Sequence, residues 1–532
     1  MVIWGFTPVA AFAQTRVDGR VLCRYPDCKK CAASPEFAPV HFDCFEIFRQ
    51  QCSVSASAAS NRLWILAVWR NPWRGAQPVH LSAPMVDKDT LRTISSFCGL
   101  PRLYKLPLEL LEMIRQYSRH SLLWRCIPAL QLADYVSATK PKPLLTVPLR
   151  ELLFWERGGN FERVTASRLP LQTLRFTVDS AGISKVERLP GPPTYAGECT
   201  SRYAFIVQDE TSISDVVAQF KDGQLRLNLP TWLRTLPIWN TPAPPIYKAY
   251  PADLASCQTI YAIKMDEIKG ITFFFSFGQL FGIHIHGSKE SYAMDTFTRN
   301  FPNRLQRTVV WIYLPISQDD RILVLGIREA SPSRDLNVLV RTELVGDIII
   351  GLQSKGHVKD RCLAASAPLT MIYGEPREGH PVRFFGAHCR APLDRALPKP
   401  FRLEKPGPCP IDDDTYFSWA PLRDVSSTLV FYDQDTGFCR GIVFSYQNGG
   451  SRAVGQCRPQ LDPAESVVRP VGLNFRASSS PSRWNRTRHM VQVKFKRTNH
   501  TEKEIEGWES RPMKGRVKFW FTVESSFLVV ES

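Results

Sequence analysis

Long hydrophobic runs are missing from this 532-residue chain. No stretch approaches the ~20 apolar residues that a bilayer-spanning helix needs, so no transmembrane helix is expected. The signatures of common chemistries are missing too. Gly-x-Ser-x-Gly, Gly-x-Gly-x-x-Gly, the phosphate-binding loop and His-Glu-x-x-His do not occur, which removes the usual marks of several hydrolase and nucleotide-using classes. Cysteine is sparse: 14 in 532 residues is too dilute for a disulfide scaffold. Acidic side chains fall short of basic ones, 50 against 67, leaving a formal charge of +17. Such a balance suits an acidic protein, a polyanion or an anionic surface as partner. Proline, by contrast, is plentiful: 41 residues, about 8% against a usual 5% or so. That density disfavours long helices and favours short strands joined by ordered loops. The expectation is a non-enzymatic binding protein.

Five of the cysteines crowd into the first 52 residues. The segment from Cys23 to Cys44 reads CRYPDCKKCAASPEFAPVHFDC. Cys28-x2-Cys31 followed by His41-x2-Cys44 supplies four soft-to-borderline donors in two close pairs, the spacing that lets each pair converge on one ion at about 2.0–2.3 Å. Four filled positions make a structural zinc site with no open coordination position. Clustered thiols of this kind suit a reducing, intracellular compartment, cytoplasmic or nuclear. Val2 to Ala13 is apolar and ends in Ala11-Phe12-Ala13, but no Lys or Arg precedes it and Pro8 interrupts it; this reads against a secretory leader. The sequons at Asn485 and Asn499 are short enough to arise by chance.

A helical segment follows. Ser55 to Arg74 carries Trp64, Trp69 and Trp73 and ends at an Asn71-Pro72 turn. Pro107 suits a first helical turn, where its missing N–H costs nothing, and Leu110, Leu111, Ile114 and Tyr117 then trace an apolar helix face. Leu122, Leu123 and Cys126 begin a second helix that Pro128 kinks or divides. The run Leu106-Pro107-x-Glu109-Leu110-Leu111-x-x-Ile114 resembles the opening of an F-box. In that family a short helical trio docks on the Skp adaptor of a cullin ubiquitin ligase. The resemblance implies that Leu106, Pro107, Leu110 and Ile114 make the adaptor contact. Together with PVHFDCFEIF, VVWIYLPI, LVRTELVGD and YQNGGSRAVGQCR, the order of elements is similar to an uncharacterised family of filamentous-fungal F-box-like proteins, which implies an architecture without an established activity.

From about Leu171 onward, β-branched and aromatic runs (LRFTV, YAFIV, ITFFF, LFGIHIH, TVVWIYL, RILVLGI) alternate with Gly/Pro turns. This pattern predicts a large all-β region of sandwich, propeller or prism type. Three stretches align on an aromatic followed three residues later by glycine, at Phe220/Gly223, Phe275/Gly278 and Tyr446/Gly449, each read as strand, tight turn, strand. The succession from Pro315 to Ile322 through Gly351 is similar to the later strands of jacalin-type lectins, which implies a carbohydrate-recognising β protein as the alternative function. His284 and His286, two apart on a strand, share a face and could bind a metal; Asp412 to Asp414 could serve a hard cation or form a solvated turn. A metal-dependent enzyme using the histidines is the least favoured function.

The basic excess is concentrated. Arg476 to Trp520 holds twelve Lys/Arg against four Glu. Its strands VQVKFKR and RVKFWFTV alternate, predicting Val491, Val493, Phe495, Val517 and Phe519 inward and lysines outward. Affinity for nucleic acid is therefore expected to be weak, sequence-independent and salt-sensitive. The expected organisation is a Cys/His zinc-type head over 1–55, F-box-like helices over 56–150, β-rich units over 151–255 and 256–475, and closing basic strands over 476–532.

Overall fold

A computed structural model describes residues 3–8, 16–17, 20–23, 36, 38–81, 88–118, 121–164, 172–251, 257–287, 292–331, 336–352, 356–390, 398–411, 415–481, 487–497 and 506–531. The protein is mainly β, 43% strand against 18% helix, built from many sheets. It divides into two compact units, Met1–Pro244 and Pro245–Ser532.

The first unit begins with a small antiparallel sheet in which Ile3–Pro8 lies between Arg20–Cys23 and Ala38–His41. Helix Phe42–Gln51 follows His41 directly and packs on helix Leu122–Ala138. The tryptophan-rich segment is helical over Ala56–Val68, N-capped by Ser55, whose side chain accepts from Ala58 N–H. Its buried Arg62 holds that helix to the end of Leu122–Ala138 by donating to the carbonyls of Val136 and Thr139 at 2.5 and 2.6 Å. Pro128 lies inside Leu122–Ala138, which runs through it as one helix; flanking contacts through Trp124, Ile127, Ala133 and Val136 outweigh the one backbone bond the ring removes. Beyond the helices, Leu145–Pro148, Val217–Lys221 and Gln224–Asn228 form one sheet. Thr173–Asp179, Gly182–Leu189 and Ala204–Asp209 form the middle of another. Both bury their alternating residues in one core around Trp155, Phe176, Ile206 and Leu225.

The second unit is antiparallel β with a short helical insert, Ala293–Asn300 and Asn303–Gln306. The main core runs from Phe273 and Phe275 through Ile327, Val340 and Phe385 to Phe444, Val493 and Phe519, with a second cluster of Phe274, Phe297, Phe301 and Trp311 beside the helical insert. The three aromatic/glycine pairs sit at hairpins. Lys221 pairs with Gln224 and Ser276 with Gln279. Both residues of each two-residue turn have positive φ, +49° and +76° at Asp222 and Gly223, +49° and +75° at Phe277 and Gly278, the turn whose twist matches flanking strands. Ser445 pairs with Ser451 around Gly449.

The basic C-terminal strands belong to this unit. Val491, Val493, Phe495, Val517 and Phe519 are buried in its core. One lysine departs from the outward expectation: Lys518 is 6% exposed. Strand Arg516–Phe521 lies between Tyr416–Pro421 and Ser526–Glu531 and is covered on both faces, with Trp520 packing against Ile411 and Phe417 on the face away from the main core. The Lys518 ammonium is ion-paired there with Glu531 at 2.8 Å and Glu404 at 3.6 Å.

Candidate partner surface and polar sites

Helix Leu108–Tyr117 starts after Pro107, which occupies its N-cap position. An amphipathic surface helix normally turns its apolar stripe inward. Among the described side chains of this helix Leu111 alone is fully buried, against Leu91, Ile94, Trp124 and Ile127. Leu110 (44% exposed), Met113 (51%), Ile114 (37%) and Tyr117 (75%) form a second apolar row, spaced i, i+3, i+4, i+7 on one helix face, that the unit leaves open. Of the four residues carried over from the F-box resemblance, Pro107, Leu110 and Ile114 are exposed and Leu106 is half-buried beside the Leu111 cluster. Trp124 anchors the helix pair from beneath, its indole N–H donating to Ser118 Oγ at 2.8 Å. Sequence periodicity groups Leu111 with Leu110, Ile114 and Tyr117; the fold instead turns Leu111 inward and adds Met113, whose i+3 spacing from Leu110 is visible in the sequence.

Among the four head residues, His41 ends the strand Ala38–His41 and Cys44 stands in the first turn of the next helix. Cys28 and Cys31 lie outside the described residues, as do Asp412 to Asp414, Asn485 and Asn499. The chain enters that segment from Cys23, which pairs with Gly5, while His41 pairs with Ile3. Both thus sit at the same end of the small sheet. The Cys44 thiol is pushed up by burial, opposed by the nearby Arg125 guanidinium, and its Sγ is 3.9 Å from the Arg125 carbonyl oxygen. Among the described residues, no group of three or more His, Cys, Asp or Glu is placed to hold a metal ion.

His284 and His286 do share a face of strand Gln279–His286, their ring centres 4.7 Å apart. Each is engaged by a hydroxyl: His284 Nδ1 lies 2.9 Å from Thr296 Oγ1, and His286 Nε2 lies 2.8 Å from Thr272 Oγ1. Burial, then the adjacent His284, lowers the His286 pKa to about 4, against an unfolded value of about 6.5. The unfolded chain therefore takes up this proton first. The stability tied to neutral His286 is complete above about pH 6.5 and is lost as pH falls toward 4. The gap between about 6.5 and about 4 corresponds to about 3 kcal/mol. Urea midpoints measured between pH 7 and 4.5 should decline less steeply in His286→Gln, which retains a partner for Thr272; parallel declines would refute this.

The second unit also contains a cavity of about 630 Å³, between the loops 265–269, 316–322 and 367–369. Its floor is Met265, Ile316, Ile322 and Leu369, all buried, and its rim carries Lys269 and Arg321. Asp320 shapes the wall by accepting from the backbone N–H of Arg321 and Leu344, both at 2.9 Å. The Ser317 hydroxyl, also lining the cavity, is buried with no hydrogen-bond partner among the described residues. This volume lies within the range of about 300–1,000 Å³ typical of small-ligand sites.

Fold and surface define a class: a two-unit, mainly-β protein with a helical segment that exposes one apolar helix row. No helix of the described residues is long and apolar enough to cross a membrane. No protein-family model matches the chain, and no curated protein matches it.

Proposed function

We propose that the protein is a non-enzymatic intracellular adaptor, an F-box-like substrate receptor whose helical segment binds a Skp-type adaptor and whose β region selects a second protein. The support comes from the open row Leu110, Met113, Ile114 and Tyr117. A folded unit gains nothing from leaving four large apolar side chains on one helix face in water, whereas a partner groove would bury them. The test is capture by the full chain. Immobilised protein should retain a purified Skp-type adaptor, and from cell extract the adaptor together with a cullin. Failure to retain the purified adaptor at micromolar concentration would overturn the proposal.

The head serves this role as a zinc-stabilised support. Cys28, Cys31, His41 and Cys44 would hold one ion, with thiolate and imidazole donors of the kind zinc prefers. The full chain should carry about one zinc per molecule, and Cys28→Ser/Cys31→Ser should lose it and lower the melting temperature. Equal zinc content in the double variant would exclude the site.

Carbohydrate recognition is a second reading, favoured by the cavity at loops 265–269, 316–322 and 367–369. Saturable binding of a free oligosaccharide, lost in Arg321→Ala, would support it over the adaptor role.

A further inference from the structure

The most basic part of the sequence contributes a three-stranded sheet of Thr487–Lys496, Gly472–Pro481 and Glu509–Pro512. One face sends Leu473, Phe475, Val491, Val493 and Phe495 into the core. On the other, register sets Lys496 opposite Gly472, Lys494 opposite Asn474, and Gln492 opposite Arg476. Residues two apart on a strand share a face about 6.6 Å apart, so Lys494 and Lys496 on one strand and Arg476, across from Gln492 on the next, form one basic patch. Arg476 is fixed in it by donating to Gln492 Oε1 at 3.0 and 2.6 Å. Trp508 immediately precedes the third strand, beside the pair Phe475 and Glu509. Its half-buried ring lies 5.5 Å from both the Arg476 guanidinium carbon and the Lys494 ammonium nitrogen. Among the described residues, no acidic side chain forms an ion pair with Arg476, Lys494 or Lys496.

We propose that this face is a platform for single-stranded nucleic acid. Three cations with no carboxylate partner among the described residues, on one face of the sheet, would track phosphates of a strand laid across it, while the indole braced by two of them would offer a stacking surface to one base. A duplex keeps its bases stacked inside and could use only the charges, so the aromatic ring favours a single strand. Recognition would be independent of sequence, because every base has a π-face and no base-edge reader is required. This site is separate in residues and in unit from the helix row argued above, and either can fail without the other.

The test is anisotropy of a fluorescein-labelled oligouridine titrated with the full chain over a salt series. Each phosphate contact adds about −0.7 to the slope of log Kobs against log salt. Lys494→Gln/Lys496→Gln should therefore flatten the slope by about 1.4 and weaken binding at low salt by more than about tenfold. Trp508→Ala should weaken binding about tenfold without changing the slope, and Trp508→Phe should restore most of it. Melting curves would verify that the variants are folded, and the two lysines are surface groups whose exchange leaves the core intact. Unchanged affinity and slope in the lysine variant would overturn the proposal. So would equal affinity for a duplex of the same length, or phosphatidylserine-rich vesicles outcompeting the oligonucleotide.

Discussion

Leu110→Asp should abolish retention of a Skp-type adaptor while leaving the melting temperature of the protein unchanged. Leu110 is 44% exposed, so a carboxylate there remains in water, and surface substitutions of this kind usually shift stability by less than about 0.5 kcal/mol. A central apolar anchor of a docked helix commonly contributes about 2 kcal/mol or more to binding, roughly 30-fold in affinity. Asp would add the cost of burying an unpaired charge against the partner. The neighbouring position is the control. Leu111 is fully buried, so Leu111→Asp both empties a core site and strands a charge in it, costing at least about 3 kcal/mol; this variant should lose cooperative melting. Capture that survives Leu110→Asp, with the fold intact, would remove the helix row from any docking role. Loss of solubility in Leu110→Asp would mean that this face is covered by the protein itself.

Deleting the chain from Arg476 onward should unfold the second unit. The deletion takes away Val491, Val493, Val517, Phe519 and Phe521, each at most 1% exposed. It also strips Tyr416–Pro421 of its only strand partner among the described residues. Full burial of such side chains stabilises by about 1.5–3 kcal/mol each, so the five together contribute about 7–15 kcal/mol. That equals the whole net stability of an ordinary domain, about 5–15 kcal/mol. Loss of the cooperative thermal transition, with dye-binding exposed apolar surface, is the expected result. A truncated chain that melts cooperatively at the original temperature would show the segment to be dispensable.

These two outcomes fall on opposite sides of what a sequence can and cannot say. Short-range chemistry determined the mainly-β character, since proline density and period-two alternation act within a few residues. It also determined the hairpins at Gly223, Gly278 and Gly449, where local backbone conformation sets the turn, and the inward set Val491, Val493, Phe495, Val517 and Phe519. Position on a helix or strand does not say how many of its faces will be covered. Tertiary structure alone decided that Leu111 turns in while Leu110, Met113, Ile114 and Tyr117 stay out, because the described neighbours of that helix, the Trp124 helix and Leu91 and Ile94 of helix Lys88–Phe97, cover only one side of it. It decided that Lys518 is buried, because its strand is central in a sheet covered on both faces and Glu531 and Glu404 arrive to compensate the charge. It alone assembled the cavity, whose three loops are separated by about fifty residues at each step of the chain. It alone set Trp508 against Arg476 and Lys494. Contacts of that kind depend on which segments meet across the fold, and burial by a distant segment leaves no trace in the local pattern of either.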